Sequence, residues 1–220
     1  LVVFPGAPSR KYLFDRFLPR APQELEVVLL MRTGYGRGVG RPYTDFNDQI
    51  AAAAPFLEDD KKVVALGVSY GGALAMKLAL ERPDKVAGVV AVAALVGEPR
   101  SYVQPFADLG GAPGVRNVLP RHLHLARAEL AGRRPQIGPL FARLKAYRRP
   151  VRILHGDADH LVPLSDAHLL RTYFAADADV SIDVVKGGTH FLEMQAPMRL
   201  YGAVDAVMKA ALAGGKKVGA

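Results

Sequence analysis

The chain has 220 residues, with 29 Lys and Arg against 21 Asp and Glu, a net charge of +8, and no cysteine. This length suits a single domain with a substantial core and room for one insertion, and the missing cysteine excludes disulfides, a thiolate zinc site and a cysteine nucleophile. The longest apolar runs, near 63–68 and 86–96, stop short of the roughly 20 residues of a membrane-spanning helix. The chain therefore reads as a soluble, cytoplasmic protein, although it starts at Leu1 inside a predicted strand and is silent on any leader ahead of it.

Short β-branched runs alternate with longer helical patterns, which predicts a mostly parallel sheet with helices on both faces. LVVF (1–4) is the first strand, followed by a helical stretch that holds Tyr12, Leu13, Phe14, Phe17 and Leu18. LEVVLLM (25–31) is the second strand, and the glycine-rich loop RTGYGRGVGRPY follows it. Thr44 reads as the N-cap of a helix that reaches about Asp59 and is interrupted by Pro55, with Asp45 and Asp48 in its first turn. KVVALGV and VAGVVAVAAL are the third and fourth strands. From about Gly97 to Arg149 glycine, proline and arginine take over, and only short helical pieces are expected. The rhythm then resumes with VRILHG as a strand, 164–175 as a helix, VSIDVVKG as a strand and 197–213 as a helix that opens on Pro197. The expected organisation is a core of 1–96 and 150–213, a cap inserted at 97–149, and a mobile tail at 214–220.

The chemistry starts at GVSYGG. A serine hydroxyl is a poor nucleophile until a base takes its proton, so Ser69 matters only where a histidine can reach it. Gly67 and Gly71 would let a sharp strand-to-helix turn close while presenting that hydroxyl. A glycine-flanked serine joining two elements is the plain alternative. An acid and a base are then sought at the ends of later strands. HGDADHLVP supplies Asp157 and Asp159, and GGTH supplies His190, the one histidine in the loop after the last strand. His122 and His124 fall in the insertion, His168 in a helix, His155 at a strand end and His160 in the loop after it, with a polar loop role open to either of the last two.

In the order of these parts the chain resembles the α/β-hydrolase fold superfamily, and within it the serine esterases and lipases. FPGAPS is similar to their oxyanion loop, RTGYGRG to the R-G-x-G-x-S loop, GVSYGG to the nucleophile elbow, HGDADHLVP to the H-G-x-x-D-x-x-V-P loop, and GGTH to the histidine loop. The resemblance implies a triad of Ser69, Asp159 and His190, with the backbone N–H groups of Ala7 and Tyr70 as oxyanion donors, and no metal or cofactor. It implies a carboxylesterase-like hydrolase of small or medium acyl esters. Acyl transfer or amide and peptide cleavage by the same triad, and a non-catalytic binding module, are the rival readings. The chain departs from the family where Pro5-Gly6 replaces His-Gly and where RTGYGRG ends in glycine rather than serine. The family also usually has two antiparallel strands ahead of the strand that begins here.

Between Gly111 and Pro150 stand Arg116, Arg121, Arg127, Arg133, Arg134, Arg143, Lys145, Arg148 and Arg149 against one acid, Glu129. As a cap, this segment would set a positive field at the site entrance and could meet an anionic membrane surface, with Leu119, Leu123, Leu125, Leu130, Ile137, Leu140 and Phe141 as an apolar underside. Nucleic acid is the weaker partner, because Tyr147 is the one aromatic beside the arginines. The partner expected is a small-molecule ester. Oligomeric state and substrate-binding residues are not legible.

Overall fold

The computed structural model describes residues 1–35, 43–97 and 120–215. Six strands form one sheet: β1 (Val2–Phe4), β2 (Val28–Leu29), β3 (Val63–Val68), β4 (Val86–Val92), β5 (Val151–Gly156) and β6 (Val180–Val185). Their order is β2-β1-β3-β4-β5-β6, and every neighbouring pair is parallel. The central strand β4 is buried at every residue, which is why VAGVVAV is a continuous apolar run without alternation. The edge strand β6 alternates instead between half-buried and exposed residues along most of its length.

The helices among the described residues are α1 (Phe46–Ala51), α2 (Tyr70–Glu81), α3 (Arg121–Ala142), α4 (Ser165–Thr172), α5 (Leu192–Gln195) and α6 (Pro197–Gly215). Successive strand residues point to opposite faces, so the sheet feeds two cores. Phe4, Ala65, Val89 and Ile153 join Leu74 of α2, Phe141 of α3 and Leu170 of α4 on one side. Val3, Leu66, Val90 and Leu154 join Phe14, Phe17 and the α6 residues Leu200, Val204 and Val207 on the other. From β1 the chain runs outward to β2 and then returns to place β3 on the opposite side of β1. The carboxyl ends of β1 and β3 therefore border the crevice where open parallel sheets bind ligands.

Several predicted elements differ in detail. The stretch after β1 forms two short 3-10 turns, Lys11–Phe14 and Leu18–Arg20, in place of one helix. Asp45, not Thr44, caps α1, since its carboxylate accepts the Asn47 N–H at 2.7 Å. That helix ends at Ala51, and Pro55 sits in a separate 3-10 turn, Ala54–Phe56.

The largest difference lies in the insertion. α3 is one helix of 22 residues with Pro135 and Pro139 inside it. Prolines remove helical hydrogen bonds, but tertiary contacts hold this helix. Gln136 Nε2 donates to Gly132 O at 2.6 Å within the helix and to Thr44 O at 2.8 Å, while its Oε1 accepts the Phe46 N–H at 2.7 Å. The Arg133 guanidinium, buried with the rest of its residue, donates to the carbonyls of Leu95 and Val96 at 2.8 Å each. Leu125, Ile137, Leu140 and Phe141 are buried in packing rather than spread as an open underside. Leu119 and the tail from 216 lie outside the described residues.

Replacing Gln136 with alanine removes three hydrogen bonds and one support of the α1 N-terminus, at an expected cost of about 2 kcal/mol. Gly202, inside α6 with open space around it, gives the opposite sign. Gly202→Ala should stabilise by about 0.5–1 kcal/mol. Urea unfolding of the two variants checks both.

Candidate active site

Ser69 follows β3 directly and is the N-cap residue of α2, with φ 53° and ψ −118°. A non-glycine residue is costly there, so the surroundings must impose the turn. They do so through backbone packing that admits no side chain. A Cβ on Gly67 would lie 2.1 Å from the Gly71 carbonyl oxygen, and one on Gly71 would lie 2.1 Å from that of Phe4. The two glycines thus let the end of β3, the start of α2 and the end of β1 meet. The Ser69 N–H donates to Val92 O at 2.8 Å, and its carbonyl accepts from Leu95 N at 3.2 Å, which pins the turn to the segment at the end of β4.

The acid loop follows β5. Asp159 Oδ1 accepts the N–H groups of Leu161 and Val162 at 2.8 and 2.9 Å, and Oδ2 lies 2.8 Å from His190 Nδ1. Burial alone would raise this carboxyl. The hydrogen bond and charge of His190, with the two N–H groups, outweigh burial and hold it below the ordinary carboxylate range. A carboxylate accepts, so the partnership places the imidazole proton on Nδ1 and leaves Nε2 with a lone pair.

Asp157 is elsewhere. Its Oδ1 accepts the Gly187 N–H at 2.6 Å, which ties the acid loop to the turn before His190 rather than to its own loop. His155 is not a loop residue but a fully buried one. Its Nε2 stands 2.9 Å from Val162 O, a group that only accepts, so that nitrogen carries the proton. Burial depresses its pKa and keeps it neutral while it braces the chain around Asp159.

Ser69 and His190 line a common cavity of about 160 Å³ at the crossover between β1 and β3. Gly6, Ala7 and Pro8 from the loop after β1 form one wall, and Tyr70 forms another. As the first residue of α2, Tyr70 has no carbonyl within its own helix to take its N–H. Leu13, Leu95, Leu130, Leu161, Val162 and Phe191 complete an apolar lining. Of the insertion residues expected to face an acyl chain, Leu130 is the one that does so among those described. A larger hollow of about 330 Å³, between β2 and α1, holds none of Ser69, Asp159 and His190.

The sequence reading missed two acids. Glu129 is buried and bonds Arg32 through both carboxylate oxygens, at 2.6 and 2.9 Å, and it accepts the Tyr35 hydroxyl at 2.8 Å. Arg32 also donates to the carbonyls of Pro5 and Gly6 at 2.5 and 2.7 Å and stacks over the Tyr70 ring at 4.9 Å. Burial, then the Glu129 charge, pushes the Tyr70 and Tyr35 hydroxyls up, so both stay protonated. The second acid is Glu193, 1% exposed on α5, which lines the cavity and has no hydrogen-bond partner for Oε2. Burial pushes its pKa up to about 7. Its neighbours Leu192, Met194 and Gln195 on α5 do not by themselves mark it as a cavity residue. Among the described residues, no three His, Cys, Asp or Glu side chains stand together to hold a metal ion.

A sequence profile described as the alpha/beta hydrolase family matches residues 1–203. The chain belongs to the alpha/beta hydrolase family. One relative in this family, the poly(3-hydroxyalkanoate) depolymerase of Ectopseudomonas oleovorans, is 27% identical over 203 residues, which span 77% of this chain and 71% of the depolymerase. In structure the chain is similar to a thermophilic esterase from Thermogutta terrifontis, with TM-score 0.72, 16% identity, and coverage of 96% of this chain and 89% of the esterase. It is also similar to the monoacylglycerol lipase of Paleococcus ferrophilus, with TM-score 0.65, 17% identity and 93% coverage of each chain. This hydrolase therefore has the esterase and lipase fold, and no helix among its described residues is long and apolar enough to cross a membrane.

The raised Glu193 pKa carries a stability consequence. The unfolded chain loses this proton near pH 4.5 and the folded hydrolase near 7, so stability falls as pH rises between those values and then levels. In wild type minus Glu193→Gln, free energies of unfolding from urea titrations at pH 4.5 and 7.5 should differ by up to about 3 kcal/mol.

Proposed function

We propose that the chain is a serine hydrolase that cleaves carboxylic esters through an acyl-enzyme on Ser69. The observation that carries this reading is the short Asp159–His190 contact beside a cavity that His190 shares with Ser69 on its strained turn. His190 Nε2, left with its lone pair by Asp159, takes the Ser69 proton as Oγ attacks the ester carbonyl. Asp159 stabilises the imidazolium that forms. The N–H groups of Tyr70 and Ala7 receive the oxyanion, and the positive end of α2 favours that charge. Collapse of the tetrahedral adduct expels the alcohol, which takes its proton from His190. Water then adds to the acyl-enzyme by the same route and releases the acid.

The segment 97–149 acts as a cap that limits the acyl pocket through Leu130, and the small apolar cavity favours small or medium acyl groups. Among its relatives, the depolymerase adds oligomeric esters of hydroxy acids to the substrates worth testing.

Three variants test the assignment. Ser69→Ala should abolish both ester turnover and labelling by an acyl-phosphonate probe, with the fold intact. Asp159→Asn should lower kcat by about 10⁴, the size expected when the imidazole tautomer is lost. Asp157→Asn, which leaves the His190 partner in place, should change kcat by less than about tenfold. Wild-type turnover in Ser69→Ala would sink the reading.

A further inference from the structure

Among the described residues, four with polar side chains line the Ser69 cavity: Ser69 itself, Tyr70, His190 and Glu193. The first and third are committed to chemistry under the proposed function, on which this inference rests. The Tyr70 hydroxyl already has a protein partner, since it accepts from Gln49 Nε2 at 2.9 Å. Glu193 remains, with a buried Oε2 that has no hydrogen-bond partner among the described residues.

Buried carboxyl oxygens in native proteins are almost always partnered, because leaving one bare forfeits its hydration without compensation. Asp159 shows the ordinary treatment of a buried carboxyl in this molecule, with N–H partners for Oδ1 and an imidazole partner for Oδ2. Glu193 combines an orphaned carboxyl oxygen with a place in the cavity lining, which points to a partner that arrives with the substrate. Among the described residues the rest of that wall is Gly, Ala, Leu, Val, Phe and Pro, so the side chains around it suit a single polar substituent on an otherwise apolar molecule.

We propose that Glu193 is a specificity-determining residue that hydrogen-bonds a hydroxyl on the substrate, so the preferred ester is apolar apart from its ester group and one hydroxyl. A hydroxyl both donates and accepts, and it can satisfy either protonation state of a carboxyl group. That matters for a group raised to about 7, which is present in both forms near neutrality. A carbonyl or ether oxygen would be served by the protonated acid alone. An ammonium would be served by the carboxylate alone and would have to shed its water against an aliphatic wall.

The hydroxyl can sit on the acyl chain or on the alcohol, and the test separates the two. kcat/KM is measured for ethyl hexanoate against ethyl hexanoates that carry a hydroxyl at successive carbons, and for alkyl hexanoates against their hydroxyalkyl counterparts. In the wild type, one arm should show a hydroxyl-bearing ester preferred about ten- to hundredfold over its parent, the worth of one hydrogen bond to a buried charged or polar group. Glu193→Gln, which still donates and accepts, should keep most of that ratio. Glu193→Leu and Glu193→Met should reduce it to about one or reverse it, with probe labelling of Ser69 reporting that the site is folded. A wild type that prefers the parent ester in both arms overturns the proposal without any variant, and so does an unchanged ratio in Glu193→Leu. If no ester is cleaved and Ser69 is not labelled, the hydrolase assignment itself falls and takes this one with it. Turnover with a flat hydroxyl ratio removes the role of Glu193 alone.

Discussion

The guanidinium of Arg32 is where three separate stretches of chain meet beside the cavity. It holds the carbonyls of Pro5 and Gly6, the carboxylate of Glu129 on α3, and the face of Tyr70 at the start of α2. These are the loop, the cap helix and the turn whose relative positions define the space above Ser69. The group is fully buried, so its charge is tolerable only because the carboxylate and the two carbonyls replace water. Loss of Glu129 would leave that charge uncompensated at a cost of about 3–5 kcal/mol, comparable to much of a domain's net stability. α3 is thus not a lid resting on a finished core. It completes the electrostatics of the loop after β1, and its Arg133 and Gln136 fasten the ends of β4 and α1.

The apolar pattern of the strands and the glycines of GVSYGG were readable because they answer to local rules. A run such as VVALGV must be buried on both faces, and Gly67 and Gly71 stand where no Cβ fits. The placement of Ser69, Asp159 and His190 at three strand ends followed from their order along the chain. What stayed hidden depends on partners distant in sequence. Arg133 reads as one more surface charge in a basic segment, and only its carbonyl acceptors 37 and 38 residues away show it to be internal. Pro135 and Pro139 read as breakers because the bonds that keep α3 helical come from Thr44 and Phe46. Glu129 and Glu193 look like solvated acids for the same reason, since nothing in their neighbourhood in the sequence announces burial.

The basic character of the insertion changes meaning accordingly. With Arg133 internal, one of the positive charges that looked like a field around the entrance is spent inside the protein. The outward charge is left to residues such as Arg134, which is exposed, and Arg143, which pairs with Glu81 at 2.6 Å. Around Ser69 itself the described cavity lining is largely apolar.

The link from Asp157 to Gly187 bears on how the site can work through a cycle. A histidine that gains and loses a proton changes its attraction to Asp159, and a loop held by that contact alone would shift with each transfer. Here the two loops are also joined by Asp157 Oδ1 to Gly187 N, and by Ala158 N to Gly188 O at 2.9 Å. Neither bond involves the imidazole. The loop that carries His190 is therefore tied to the acid loop by contacts that do not depend on the ring.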